Sequence, residues 1–136
     1  MNVFIVEDSA VMRENLQAML SDFGGVRIVG HAVDEAGAIG QIDAALPDVV
    51  ILDLNLQTGS GINVLKAVKK QHPEIKVIVL TNYTDEQYAD ACKRAHADYF
   101  FDKSFQFMKV RDVFAEWSRT GAAAGGPGDR MTNQPQ

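Results

Sequence analysis

The sequence predicts an α/β protein built on a doubly wound, five-stranded parallel sheet with helices on both faces. Three observations carry this expectation. Five short β-prone runs lie at 3–6, 26–33, 49–52, 77–80 and 98–101. Each is followed by a segment with apolar residues at helical spacing, and simple strand–helix alternation with short links implies parallel strands. The central runs are continuously apolar instead of alternating, as a sheet covered on both faces requires.

The elements follow in order. Val3-Phe4-Ile5-Val6 ends abruptly at Glu7-Asp8, and Ser9 is placed to cap a helix. Met12, Leu16, Met19, Leu20 and Phe23 form one face of that helix, with Gly24-Gly25 expected as its stop. The second run, Val26 to Val33, is interrupted by Gly30 and His31. A weaker helix follows over Asp34 to Ala45, diluted by Gly37 and Gly40 and closed by Pro47. Val49-Val50-Ile51-Leu52 is the clearest strand and ends at Asp53. After Thr58-Gly59-Ser60-Gly61, a helix presents Ile62, Leu65 and Val68 and ends at His72-Pro73. Val77 to Leu80 runs into Thr81. Asp85 to His96 is helical, with Tyr88, Ala91, Cys92 and Ala95 on one side. The last strand, Asp98 to Phe101, leads to Asp102-Lys103, and Val110, Val113, Phe114 and Trp117 define the last helix.

Composition narrows the function classes. The 136 residues suit one domain, and 46% hydrophobic with 23% charged residues is ordinary for a globular protein. Eighteen acidic against thirteen basic residues give a net charge of −5, which repels nucleic-acid backbones and argues against direct nucleic-acid binding. The single cysteine, Cys92, cannot form an internal disulfide and suits a reducing, cytoplasmic setting. The N-terminus lacks the basic segment of a secretory signal, and no apolar run approaches a membrane span. Residues 120–136 are rich in Gly, Ala and Pro and are expected to be a flexible tail without an output domain.

In open α/β sheets, ligands bind outside the carboxyl ends of the strands. Those ends deliver Glu7 and Asp8, Asp53, Thr81 and Lys103, distant in sequence but brought to one rim. Three crowded carboxylates raise one another's proton affinity unless a cation sits among them. Hard oxygen ligands suit Mg²⁺, which usually takes one or two carboxylates plus phosphate oxygens. Lys103 and Thr81 both suit the oxygens of a phosphoryl group. Asp53 stands alone at the central strand and is the natural nucleophile for forming an acyl phosphate, while Glu7 and Asp8 are better placed to hold metal.

These segments resemble the receiver domain of bacterial two-component response regulators over residues 1–119. The matching stretches are Val-Glu-Asp-Ser at 6–9, Val-Val-Ile-Leu-Asp-Leu at 49–54 with Gly59-Ser60-Gly61 after it, Val-Leu-Thr at 79–81 and Phe-Phe-Asp-Lys-Ser at 100–104. The resemblance implies a flavodoxin-like fold with strand order 2-1-3-4-5. It implies that Asp53 accepts a phosphoryl group from a histidine kinase or phosphotransfer protein. Mg²⁺ would be held by Glu7, Asp8, Asp53 and the backbone carbonyl of Asn55, with Thr81 and Lys103 on the phosphoryl oxygens. A downstream protein target is implied, with the fourth helix, fifth strand and fifth helix as the partner or homodimer face. Such a domain is a phosphoryl acceptor with intrinsic autodephosphorylation, not a turnover enzyme.

Several positions depart from the family pattern. Ser104 follows the lysine where proline is common, a form seen in receivers of helix-turn-helix regulators. The switch aromatic falls on Phe100, without a hydroxyl, and the usually small residue after the threonine is Asn82. Tyr83 and Asn55 fall where the family tunes the aspartyl-phosphate lifetime. Two alternatives stand beside the main reading: the receiver of a helix-turn-helix transcriptional regulator, and a Mg²⁺-dependent aspartyl-phosphate phosphatase. The phosphatase type needs a second aspartate two residues on, where this chain has Asn55.

Other motifs have simpler readings. His31, His72 and His96 lack metal-ligand spacing. Cys92 faces the apolar side of its helix and reads as a packed thiol. Asp34, Glu35, Asp85 and Glu86 open helices and complement their dipoles. Alternation sets Phe100 opposite Tyr99 and Phe101.

Overall fold

The computed structural model describes residues 1–120. The chain alternates strand and helix throughout: β1 (Asn2–Val6), α1 (Ala10–Leu20), β2 (Arg27–Ala32), α2 (Glu35–Ala45), β3 (Val49–Leu52), α3 (Gly61–Gln71), β4 (Lys76–Thr81), α4 (Glu86–Arg94), β5 (Tyr99–Asp102) and α5 (Phe107–Thr120). The strands pair in the order β2-β1-β3-β4-β5, all parallel, as the sequence leads one to expect. Thr120, assigned on sequence to the tail, closes α5; the remainder of that stretch lies outside the described residues. Among the described residues, no helix is long and apolar enough to cross a membrane.

Strict alternation along the strands divides the core in two. Phe4, Val6, Val50, Leu52, Val77 and Val79 pack with Ile42, Leu65, Val68 and Cys92 beneath α2, α3 and α4. Val3, Ile5, Val49, Ile51, Ile78, Leu80 and Phe101 pack with Leu16, Leu20, Phe114 and Trp117 beneath α1 and α5. Each such buried side chain contributes roughly 1.5–3 kcal/mol by leaving water, so both layers are needed to seat the sheet. Phe100 packs on the first layer, whereas Tyr99 and Phe101 lie in the second, as alternation requires.

Local departures from expectation have identifiable causes. α1 does not stop at Gly24-Gly25, and neither glycine takes a positive φ. It ends at Leu20 with right-handed Ser21 as its cap, and two successive turns (Phe23 N–H to Leu20 O, Val26 N–H to Phe23 O, each 3.0 Å) close it off. Phe23 therefore leaves the helix but still meets Phe114, with ring centroids 6.4 Å apart. Gly30 does not break β2. It lies beside a register shift opposite Val3/Phe4, where a Cβ would sit 3.0 Å from the Phe4 ring. Despite its two glycines, α2 spans eleven residues, with the Asp34 carboxylate accepting from Gly37 N–H at 2.7 Å.

At the amino ends of β4 and β5, Asp98 is buried and accepts hydrogen bonds from Val77 N–H and Lys69 Nζ, both at 2.8 Å. This pair ties α3 to the start of β4 and β5. Buried Cys92 confirms the packed-thiol reading: burial pushes its pKa up to about 12, far above neutral pH.

Candidate functional site

Parallel register brings the strand ends level. Val6 pairs with Leu52, Leu52 with Val79, and Thr81 with Asp102, so the next residues of β1, β3 and β5 emerge on one rim. Backbone hydrogen bonds carry the ladder one step further: Glu7 N–H to Ala32 O at 3.0 Å, Asp53 N–H to Val6 O at 2.9 Å, and Lys103 N–H to Thr81 O at 2.8 Å. The side chains of Glu7, Asp53, Thr81 and Lys103 are thus placed by sheet geometry.

Asp53 is buried and sits at the centre of this set. One carboxylate oxygen, Oδ1, accepts from Thr81 Oγ1 at 2.8 Å and from Asn55 N–H at 3.1 Å. The other, Oδ2, accepts from Lys103 Nζ at 2.6 Å. Lys103 also reaches Glu7 Oε1 at 2.8 Å, and Glu7 Oε2 accepts from Ser9 N–H at 3.0 Å. Lys103 therefore bridges two buried carboxylates. Asp8 is half-exposed beside them, and Glu7, Asp8 and Asp53 each offer an oxygen within 4.8 Å of the others.

Burial raises the Glu7 carboxyl above its ordinary value, outweighing the hydrogen bonds from Lys103 and Ser9. Repulsion from Asp53 is the smallest influence, so desolvation matters more here than the mutual repulsion expected from sequence. Burial would lower the Lys103 pKa, but its hydrogen bonds to Asp53 and Glu7 more than offset this and leave it raised. The ammonium is held charged at neutral pH. Three hard oxygen donors on one rim suit Mg²⁺, which keeps several waters and needs few protein ligands.

The residues expected on sequence to tune the site, Asn82, Tyr83 and Asn55, occupy the adjacent loops. Ser104 Oγ donates to Asn82 Oδ1 at 2.9 Å, so two of the residues that depart from the receiver pattern are partners across the β4–α4 and β5–α5 loops. Tyr83 N–H donates to Thr81 Oγ1 at 3.1 Å, and its ring stacks on Tyr88 with centroids 5.1 Å apart. Asn55 is exposed at the head of the β3–α3 loop. Phe100 is half-buried and faces away from the α1–α5 layer.

On sequence Gly61 reads only as part of a turn and of the Gly59-Ser60-Gly61 match, without its packing role. A Cβ there would lie 2.2 Å from the Asp53 carbonyl oxygen and 2.6 Å from Leu54 Cα, so the start of α3 presses directly on the backbone that carries Asp53. Glycine directly after a helix-capping serine, Ser60, was the available signal. Sequence reading also missed Arg13, whose guanidinium donates to the Glu7 carbonyl at 2.8 Å. Glu35 does more than complement a dipole: its Oε1 accepts from Ser60 N–H at 2.9 Å and Asn63 Nδ2 at 3.2 Å.

Comparison with known proteins identifies the family and the fold. The family profile of the response regulator receiver domain matches residues 3–115. The chain belongs to the response regulator receiver family. The receiver is 37% identical over 90 residues to the DNA-binding transcriptional activator DevR/DosR of Mycobacterium tuberculosis, covering 65% of this chain and 42% of that protein. It superposes on the response regulator domain of Thermotoga maritima CheB with a TM-score of 0.77 and 28% identity, over 93% of this chain and 98% of the other. A chain of the CheX–CheY–BeF₃⁻–Mg²⁺ complex from Borrelia burgdorferi matches with a TM-score of 0.72 and 25% identity over 84% of this chain and 89% of its own. The receiver spans about half the length, or less, of the curated relatives it matches.

Proposed function

We propose that this receiver accepts a phosphoryl group on Asp53 from the phosphohistidine of a histidine kinase or phosphotransfer protein, in a Mg²⁺-dependent reaction, and thereby switches its contacts with a protein partner. The observation that carries this reading is the Asp53 carboxylate, with Thr81 and Lys103 on separate oxygens and Glu7 and Asp8 beside it. Glu7, Asp8, Asp53 and the Asn55 carbonyl would hold the metal. Bound Mg²⁺ would neutralise charge on the transferring group.

The chain's own residues define the rest. A carboxylate oxygen of Asp53 forms the new bond to phosphorus as the bond to the donor nitrogen breaks in line. Lys103 Nζ and Thr81 Oγ1 are already within hydrogen-bond reach of Asp53 and so stand ready for the phosphoryl oxygens. Thr81 ends β4 and Phe100 lies in β5, so a shift of Thr81 towards the new charge biases the β4–α4 loop and the neighbouring aromatic. The face of α4, β5 and α5 is the proposed contact for a partner or second copy. Phe105, in the β5–α5 loop, and Met108, in the first turn of α5, are 89% and 58% exposed.

Acetyl phosphate with Mg²⁺ is expected to add one phosphoryl group, read by intact mass, to wild type and not to Asp53→Ala; omitting Mg²⁺ should suppress it. A gain of mass in Asp53→Ala equal to that of wild type would defeat the assignment. Tyr83 is 39% exposed two residues beyond Thr81, and its ring is proposed to screen the acyl phosphate from water. Tyr83→Ala should speed autodephosphorylation roughly three- to tenfold, corresponding to about 1 kcal/mol of barrier. An unchanged decay rate of purified phosphoprotein removes that role.

A further inference from the structure

We propose that Glu35, on α2, is a positioning residue for the metal site: it fixes the loop that presents the Asn55 carbonyl and so sets Mg²⁺ affinity. This rests on the reading of Glu7, Asp8, Asp53 and Asn55 as metal ligands.

The loop from Asn55 to Ser60 is mostly exposed, although it carries a ligand that needs a fixed position. Its near end is anchored by the site, through Asn55 N–H on Asp53 Oδ1. Its far end is anchored by α2. Glu35 N–H donates to Thr58 O at 3.0 Å, and Gln57 N–H donates to Val33 O at 3.1 Å. The Glu35 side chain adds the decisive contacts: Oε1 accepts from Ser60 N–H and Asn63 Nδ2 together. Ser60 in turn forms an isolated antiparallel bridge with Asn55. The chain of contact therefore runs from Glu35 to Ser60 to Asn55, and it is short.

Gly59 shows how closely this clip is fitted. Its φ of +85° is left-handed, and a Cβ there would lie 2.5 Å from Glu35 Cβ and 2.6 Å from Glu35 Oε1. The loop passes beneath the glutamate with no space for a side chain. A carboxylate from one helix thus satisfies a donor left over at the start of the next, and the segment between carries the metal's backbone ligand. Groups that orient a metal's ligands typically change affinity 10–100-fold when removed.

The test is calorimetric titration of the full chain with Mg²⁺, well below the thermal midpoint, on wild type, Glu35→Gln and Glu35→Ala. Glu35→Ala is expected to weaken Mg²⁺ binding by about tenfold. Glu35→Gln should restore most of the affinity, because its amide oxygen still accepts from Ser60 and Asn63 although the charge is gone. Should Glu35→Ala prove unstable, Glu35→Asp, whose shorter side chain draws the carboxylate back from Ser60 N–H and Asn63 Nδ2 while keeping its charge, should give a similar loss. Affinity of Glu35→Ala within about twofold of wild type would overturn the proposal and leave a purely structural clip. So would a Gln variant as weak as Ala, which would indicate charge instead of position. Absence of Mg²⁺ binding in wild type itself would overturn the metal-site reading and this inference with it.

Discussion

Replacing Lys103 with methionine is expected to destabilise the metal-free receiver by about 3 kcal/mol, the scale of breaking a buried ion pair by removing one partner. Lys103 lies 2.6 Å from Asp53 and 2.8 Å from Glu7, both buried, and the variant leaves two carboxylates facing each other without their cation. The pH dependence follows from the direction of the shifts. The raised Lys103 pKa means that its stabilisation is complete below the ordinary value of 10.5 and is lost only as pH rises through the higher folded value. The difference between wild type and Lys103→Met therefore persists through neutral pH. It should narrow on acidification, because Glu7 is already raised above 4.5 by burial and loses the lowering influence of Lys103. Mg²⁺ should stabilise the variant more than wild type, since it supplies the missing positive charge. Urea unfolding at several pH values, with and without Mg²⁺, measures all three effects. An unchanged midpoint in Lys103→Met without metal would show that the observed pair contributes nothing.

Gly61→Val should be at least as damaging, and for a reason unrelated to charge. The added Cβ would lie 2.2 Å from the Asp53 carbonyl and 2.6 Å from Leu54 Cα, both backbone atoms that cannot rotate aside. Gly61 N–H also donates to Leu54 O at 3.0 Å, so α3 cannot back away without breaking that bond. Overpacking of this kind costs about 3 kcal/mol at the upper end of its usual range. Any relaxation moves the residue that carries the proposed nucleophile. The variant should lose stability in urea and, in whatever fraction remains folded, accept phosphoryl groups more slowly. Full acceptance at wild-type rate would mean that α3 can move independently of Asp53.

The legibility of the fold in the sequence was uneven for physical reasons. Continuous apolar strands such as Val49 to Leu52 leave only one kind of sheet, and strand ends with charged residues leave one rim for chemistry. That was sufficient to collect Glu7, Asp8, Asp53, Thr81 and Lys103. Side-chain pairings across loops carry no periodicity, so the Glu35 clip and the Ser104–Asn82 bond became visible only in three dimensions. Glycine was ambiguous for a related reason. Gly24 and Gly25 look like a helix stop but take no left-handed conformation, whereas Gly61 reads as a turn residue and is packed against the backbone of Asp53. Asp98 reads as the first residue of a strand, yet it is a buried acceptor holding Lys69 and the start of β4.

The central claim is an acyl phosphate on Asp53, and chemical mapping addresses it most directly. Borohydride reduces an acyl phosphate to the alcohol, so protein treated with acetyl phosphate and Mg²⁺ should yield a peptide with homoserine at position 53. Untreated protein should retain aspartate there. A phosphorylated protein whose Asp53 survives reduction, or whose phosphoryl group maps to a serine, threonine or histidine, would contradict the account.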